Sequence, residues 1–236
     1  MQSRIRRAPR IYFSFRSPFS WLGVDRLLTL RPSVVEDCAW IPFWDPSPMT
    51  DSALRAGGGG FHYTQMSKAK HLYILQDAKR LCEKYGKQMQ WPVDRDPTWE
   101  VPHLAWLGAP PADRWAVYRS ITEMRWETGQ DICDPDLLAA HLEGRGLDPA
   151  LATQHGSDEV RADGVQCLVE AYNDDIFGIP YFKAGAHRFW GLERVDWFIA
   201  TYDAWRDGRS FAAVVPGLGT GPAGPPLDVD SPGGCG

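Results

Sequence analysis

The hydrophobic pattern opens with Ile11-Tyr12-Phe13-Ser14-Phe15, a β-branched and aromatic run that predicts a first strand. The run ends at Arg16-Ser17-Pro18. A serine can cap a free N–H and a following proline fits the first helical position, so this triplet predicts a helix start. Phe19, Leu22, Leu27 and Leu30 recur near helical spacing until Pro32 stops the pattern. Ala39-Trp40-Ile41-Pro42-Phe43-Trp44 predicts a second strand, with one edge left free at Pro42. Strand, helix and strand in this order predict a right-handed parallel βαβ unit.

Residues 45–60 lose the pattern and are expected to form a loop that ends in Gly57-Gly58-Gly59-Gly60. No G-K-[ST] follows the glycines, so a phosphate-binding P-loop is rejected. The run is expected to be a flexible surface loop, with a mobile lid over a site as the functional alternative. Residues 62–175 return to helical periodicity. Ile74, Ala78, Leu81 and Tyr85 form one stripe, and Lys70, Tyr73, Asp77, Arg80 and Lys84 form another, in which Tyr73, Asp77 and Arg80 can interact. Gly86 ends this helix, and the Pro- and Trp-rich residues 91–111 read as irregular. Further helices are predicted from about Asp113, from Pro135 to Glu143 and from about Asp158 to Tyr172, with a turn at residues 144–149.

The pattern then switches back to strands. Two short apolar runs flank Ala184-Gly185-Ala186, which predicts a hairpin over residues 177–191. A proline opens its first strand, which makes Ile179-Pro180 a candidate cis bond. Leu192 to Trp205 reads as a closing helix with Val195, Phe198, Ile199 and Tyr202 on one face. Residues 208–236 are rich in Gly, Pro, Ala and Asp without periodicity and are expected to be disordered.

Composition narrows the function classes. The chain has 236 residues and a net charge of −5, which argues against nucleic acid as the main partner. Five dispersed cysteines, none in C-x-x-C spacing, are neither a disulfide framework nor a zinc site and point to a reducing, cytoplasmic location. The start is basic and contains Pro9, Arg10 and Arg16, so no signal-peptide core forms, although a basic mitochondrial leader fits it. No apolar run approaches a membrane span of roughly twenty residues. The histidines show no paired spacing, so no metal is assigned, and no Ser-His-Asp triad can be read from spacing.

The order βαβ, helical block, Pro-opened hairpin and helix is the layout of an α/β thioredoxin-like fold with a large all-helical insertion. The sequence resembles the DsbA-like superfamily, and within it the branch of 2-hydroxychromene-2-carboxylate isomerases and kappa-class glutathione transferases. The resemblance is carried by residues 12–20, by Lys68 with Tyr73 and Asp77, by residues 126–132, by Phe177-Gly178-Ile179-Pro180 and by residues 189–195. It implies a discontinuous thioredoxin-like domain over 11–61 and 176–206 and an insertion domain over 62–175, and composition leaves 207–236 as a disordered tail. It implies that Ser17 replaces the nucleophilic cysteine of the redox members and hydrogen-bonds the sulfur of bound glutathione. A helix N-terminus favours a thiolate on physical grounds as well. Ile179 beside a cis Pro180 would pair with the glutathione backbone, Lys68 would meet a glutathione carboxylate or a phosphate-like charge, and the residues opening the last helix would hold the γ-glutamyl end. There the sequence departs from the family, which often has a small polar residue and Asp where this chain has Leu192 and Glu193.

The expected function is therefore a glutathione-dependent isomerase acting on an unsaturated aromatic or polyketide-like substrate. Phe15, Phe19 and Trp44 with loop 45–60 would form the apolar pocket. Ser17-Pro18-Phe19-Ser20 contains no sulfur, which argues against a dithiol oxidoreductase. The alternatives are a kappa-type transferase, a thiol-free isomerase or cyclase with Tyr73 or Asp77 in acid–base roles, and a redox-inactive protein that binds a peptide or partner along the Pro180 edge. The resemblance also implies a homodimer. For each candidate a structural role stands beside the functional one: Ser17 as a helix cap, Phe19 and Trp44 as core, Lys68 and Glu193 as solvated charges.

Overall fold

A computed structural model describes residues 7–62 and 66–209, so the tail beyond residue 209 lies outside the described residues. Four strands form one sheet in the order β2-β1-β3-β4: β1 (Arg10–Phe13), β2 (Ala39–Pro42), β3 (Tyr181–Ala184) and β4 (His187–Trp190). β1 pairs with β2 in parallel and with β3 antiparallel, and β3 pairs antiparallel with β4. β1, β2 and β4 therefore run the same way. Their C-terminal ends and the start of β3 meet at one end of the sheet.

The expected βαβ unit is present. α1 (Pro18–Leu30) connects β1 to β2 by way of the short α2 (Val34–Asp37). One core joins Ile11, Phe182 and Phe189 to Leu22 and Leu27 of α1 and to Phe198 and Tyr202 of α9 (Val195–Arg206). Between β2 and β3 lie α3 (Pro48–Ala56), α4 (Lys68–Lys84), α5 (Glu100–Leu107), α6 (Arg114–Trp126), α7 (Pro135–Gly144) and α8 (Asp158–Asn173), with a 3-10 segment at Pro149–Gly156. The larger core joins Tyr12, Phe13 and Tyr181 to α3, α5, α6, α7 and α8, whereas α4 packs into the first core through Cys82.

Two expectations are corrected. Residues 45–60 are not a loop, because Ser47 accepts a hydrogen bond from the Thr50 N–H, Pro48 takes the first turn and α3 follows. The second half of the glycine run lies against helices: a Cβ on Gly59 would stand 2.5 Å from the Leu54 side chain of α3 and one on Gly60 would stand 3.2 Å from Tyr172 of α8, whereas Gly58 faces open space. Residues 91–111 are not all irregular, because α5 lies within them. Val101, Pro102, His103, Leu104, Ala105 and Trp106 are all buried, so this helix has no polar face to reveal its period. Pro102 falls in the first turn, where its missing N–H costs nothing.

A buried ionic cluster ties α8 to the sheet. Asp174, just past α8, accepts from the Tyr12 hydroxyl and from Lys183 Nζ, each at 2.5 Å. It also pairs with Arg10 at 2.5 Å, and Arg10 donates to Glu170 at 2.9 Å. Six residues after Asp174 the chain reaches Pro180, so the cluster fixes the stem of the segment that delivers the proline.

Candidate functional site

The turn between β1 and α1 is built by short hydrogen bonds. Ser17 is the N-cap of α1, and its hydroxyl oxygen accepts from the Ser20 N–H at 3.2 Å. This leaves the Ser17 hydroxyl proton able to point outward. Ser20 is fully buried and its oxygen accepts from the Ser14 N–H at 3.0 Å. Pro18 has no N–H, and the Trp21 N–H closes on the Ser17 carbonyl at 3.0 Å. The Phe19 N–H has no acceptor among the described residues, so the helix end presents a donor and the positive end of its dipole beside Ser17.

The insertion holds this turn through His103 of α5. Its Nδ1 donates to the Trp99 carbonyl at 2.7 Å, which leaves Nε2 as an acceptor. Nε2 takes the Phe15 N–H at 3.2 Å and the Ser14 hydroxyl at 3.1 Å. Burial pushes the imidazole down to about 3, so the ring stays neutral and keeps its acceptor. Replacing His103 by leucine strands both donors, at about 1–3 kcal/mol each. Urea denaturation is expected to show that loss and His103→Gln to recover part of it. A loss under about 1 kcal/mol would mean that the turn is held by other contacts.

Beside this turn stands the other half of the site. The Ile179-Pro180 bond is cis. β1 and β3 pair Tyr12 with Tyr181, and continuing that register by two residues sets Ile179 alongside Ser14. Ile179 lies outside the ladder, whereas the Pro180 carbonyl is taken by the Gly191 N–H at 2.9 Å. The Pro180 ring lies on Gly23 of α1, where a Cβ would come within 2.9 Å of its Cγ. Ser17 and the cis proline are therefore locked to the same helix. A cavity of about 980 Å³ opens on the β2 side of the turn. Arg16, Asp45, Asp51, Arg55, Lys68 and His71 supply its polar lining, and Pro46, Phe61 and Met66 are part of its apolar lining. Arg16 pairs with Asp45 and Arg55 with Asp51, while Lys68 and His71 have no acidic partner among the described residues.

A comparison with protein families matches residues 10–203 to the DSBA-like thioredoxin domain. The chain belongs to this DsbA-like family. No curated protein sequence matches it. Among solved structures, 2-hydroxychromene-2-carboxylate isomerase is similar with a TM-score of 0.63 at 19% identity, over 85% of this chain and 96% of that one. The cytosolic disulfide reductase DsbM from Pseudomonas aeruginosa, solved with GSH, is similar with a TM-score of 0.52 at 15% identity, over 85% of this chain and 96% of that one. At these identities the likeness establishes the fold.

The DsbA-like chain gathers some of the expected residues and separates others. Ser17, Ile179 and Pro180 converge at one end of the sheet, half-buried Phe19 follows Ser17 on α1, and Lys68 lines the cavity. Phe15 and Trp44 do not line a pocket. They are 1% and 2% exposed and pack around His103, with ring centroids at 5.1 and 5.2 Å. Each follows the end of a strand, β1 or β2, and turns inward onto α5 rather than toward Ser17. Tyr73 and Asp77 sit on another stripe of α4, away from the cavity lining, with Tyr73 exposed and Asp77 paired to Arg80 at 3.5 Å. Leu192 turns its side chain into the core, and Glu193 is exposed just after Gly191. His103, Arg16 and Arg55 were not expected. His103 carries no local signal because its partners lie 88 and 89 residues away. Among the described residues no group of three or more His, Cys, Asp or Glu could hold a metal ion, and no helix is long and apolar enough to cross a membrane.

Proposed function

We propose that this protein is an isomerase that uses glutathione as a reversible nucleophile toward an unsaturated aromatic or polyketide-like substrate. The observation that carries the reading is the Ser17 hydroxyl, which caps α1 through its oxygen and keeps its proton for a ligand, next to the cis Ile179-Pro180 bond. The donor set fits the tripeptide. Ser17 and the α1 terminus offer donors to a sulfur anion, Ile179 stands outside the ladder, and Lys68, with no acidic partner among the described residues, offers a cation to a carboxylate. Bound glutathione would supply a thiolate that adds to an unsaturated carbon and later leaves, so that the net change is isomerisation. Ser17 would hold the sulfur as an anion, and His103 would keep the Ser17 turn in place. The similar structures include an isomerase and a reductase solved with GSH, which supports a thiol ligand for this fold. Ser17 and Ser20 stand where dithiol exchange would need sulfurs, which speaks against an oxidoreductase. A kappa-type transferase would use the same site and leave the thiol on its product.

Calorimetric titration of reduced glutathione tests the reading. Wild type is expected to bind and to develop the thiolate absorbance band. Ser17→Ala is expected to lose the band and to bind about tenfold or more weakly, the cost of one hydrogen bond to a charged group. No binding to wild type would remove glutathione and leave Ser17 as a helix cap.

A further inference from the structure

With Phe15 and Trp44 in the core, a pair of exposed aromatic residues close to Ile179 in the fold comes forward that composition alone does not pick out. Phe177 and Trp190 are 47% and 46% exposed and meet edge to face at 4.9 Å. Trp190 is the last residue of β4, so it stands at the sheet end shared with Ser17 and Pro180. Its indole lies on the Gly178 backbone, one residue before Ile179. A Cβ on Gly178 would meet the indole nitrogen at 2.7 Å, so glycine is what lets the ring lie down there. Phe177 also packs edge-on against buried Tyr181, the cross-strand partner of Trp190. Both rings are therefore held from behind and open in front. Large apolar rings set this way next to a ligand-pairing backbone offer a stacking surface at little ordering cost.

We propose that Phe177 and Trp190 form the wall that takes the flat, unsaturated group of the second ligand, on the β4 side of Ser17. The proposal rests on the glutathione reading. Adjacent strands stand about 4.8 Å apart, which puts the wall within reach of a group carried on a sulfur beside Ile179. The cavity on the β2 side is rimmed by charges and suits the polar ends of a ligand better than a bare ring.

The test compares reduced glutathione with S-benzylglutathione by calorimetry in the full chain. Wild type is expected to bind the benzyl derivative about tenfold tighter. That ratio should fall to about one in Trp190→Ala, drop in Gly178→Ala and return in large part in Trp190→Phe. A ratio kept in Trp190→Ala but lost in Phe61→Ala would place the ring in the cavity and overturn the wall alone. A ratio near one in wild type would overturn it too. An unchanged ratio with loss of a dimer in Trp190→Ala, seen by light scattering, would assign the rings to a second copy of the chain. Binding of neither ligand to wild type would overturn the wall together with the glutathione reading.

Discussion

Ser17→Cys is expected to create one thiol that titrates near pH 7 or below, against about 8.5 for a free cysteine. The cause lies in the helix end rather than in any charged neighbour. A sulfur at this position stands at the positive end of α1, next to the Phe19 and Ser20 N–H groups, and each stabilises the thiolate relative to the thiol. The background is quiet. Burial pushes the thiols of Cys38 and Cys167 up to about 12 and also raises those of Cys82 and Cys133. Cys235 lies outside the described residues and is replaced by alanine in the test protein. Iodoacetamide alkylation followed against pH gives the titration directly. A midpoint at or above about 8.5 would show that the α1 terminus does not stabilise a thiolate. The test needs no ligand, so it probes the feature on which the proposed chemistry depends even before glutathione is tried.

That feature was legible because it is local. Ser17-Pro18 carries its own start signal, and Pro180 before an apolar run marks a strand opening whatever lies elsewhere in the chain. The same Ser-Pro signal at Ser47-Pro48 is masked by the prolines before it and the glycines after it, which read as loop. α5 is hidden for the opposite reason. A helix buried on every side shows no period, and its buried carboxylate Glu100 is satisfied by the Ser47 N–H, 53 residues away. Phe15 and Trp44 look like pocket residues beside Ser17 until the sheet carries them beneath α5. The roles of His103 and Trp190 likewise depend on which face of a buried element each occupies, and on partners that only the folded chain brings near.

Asp174→Asn is expected to cost about 3–5 kcal/mol at pH 7, because it removes the anion from between two nearly buried cations. The Arg10 and Lys183 side chains are only 9% and 13% exposed. Glu170 remains for Arg10, while Lys183 is left with an amide oxygen. Burial by itself would raise the Asp174 carboxyl. The hydrogen bonds from Lys183 and Tyr12 and the charge of Arg10 outweigh burial and hold it below its ordinary 3.8. The sign of the pH effect follows. A carboxyl with a depressed folded value contributes its full stability above its unfolded value, and that contribution is lost as pH falls through the folded one. The gap between wild type and Asp174→Asn in urea denaturation is thus expected to be constant from about pH 7 to pH 5 and to shrink below about pH 4. A gap that widens in acid would mean that the carboxyl is not the anion of the cluster. The effect reaches the site because residues 175–179 hang between this anchor and cis Pro180. Loosening Asp174 should therefore weaken ligand binding at Ile179 at pH 7 in protein that is still folded, whereas a purely global loss of stability would leave the affinity of the folded fraction unchanged.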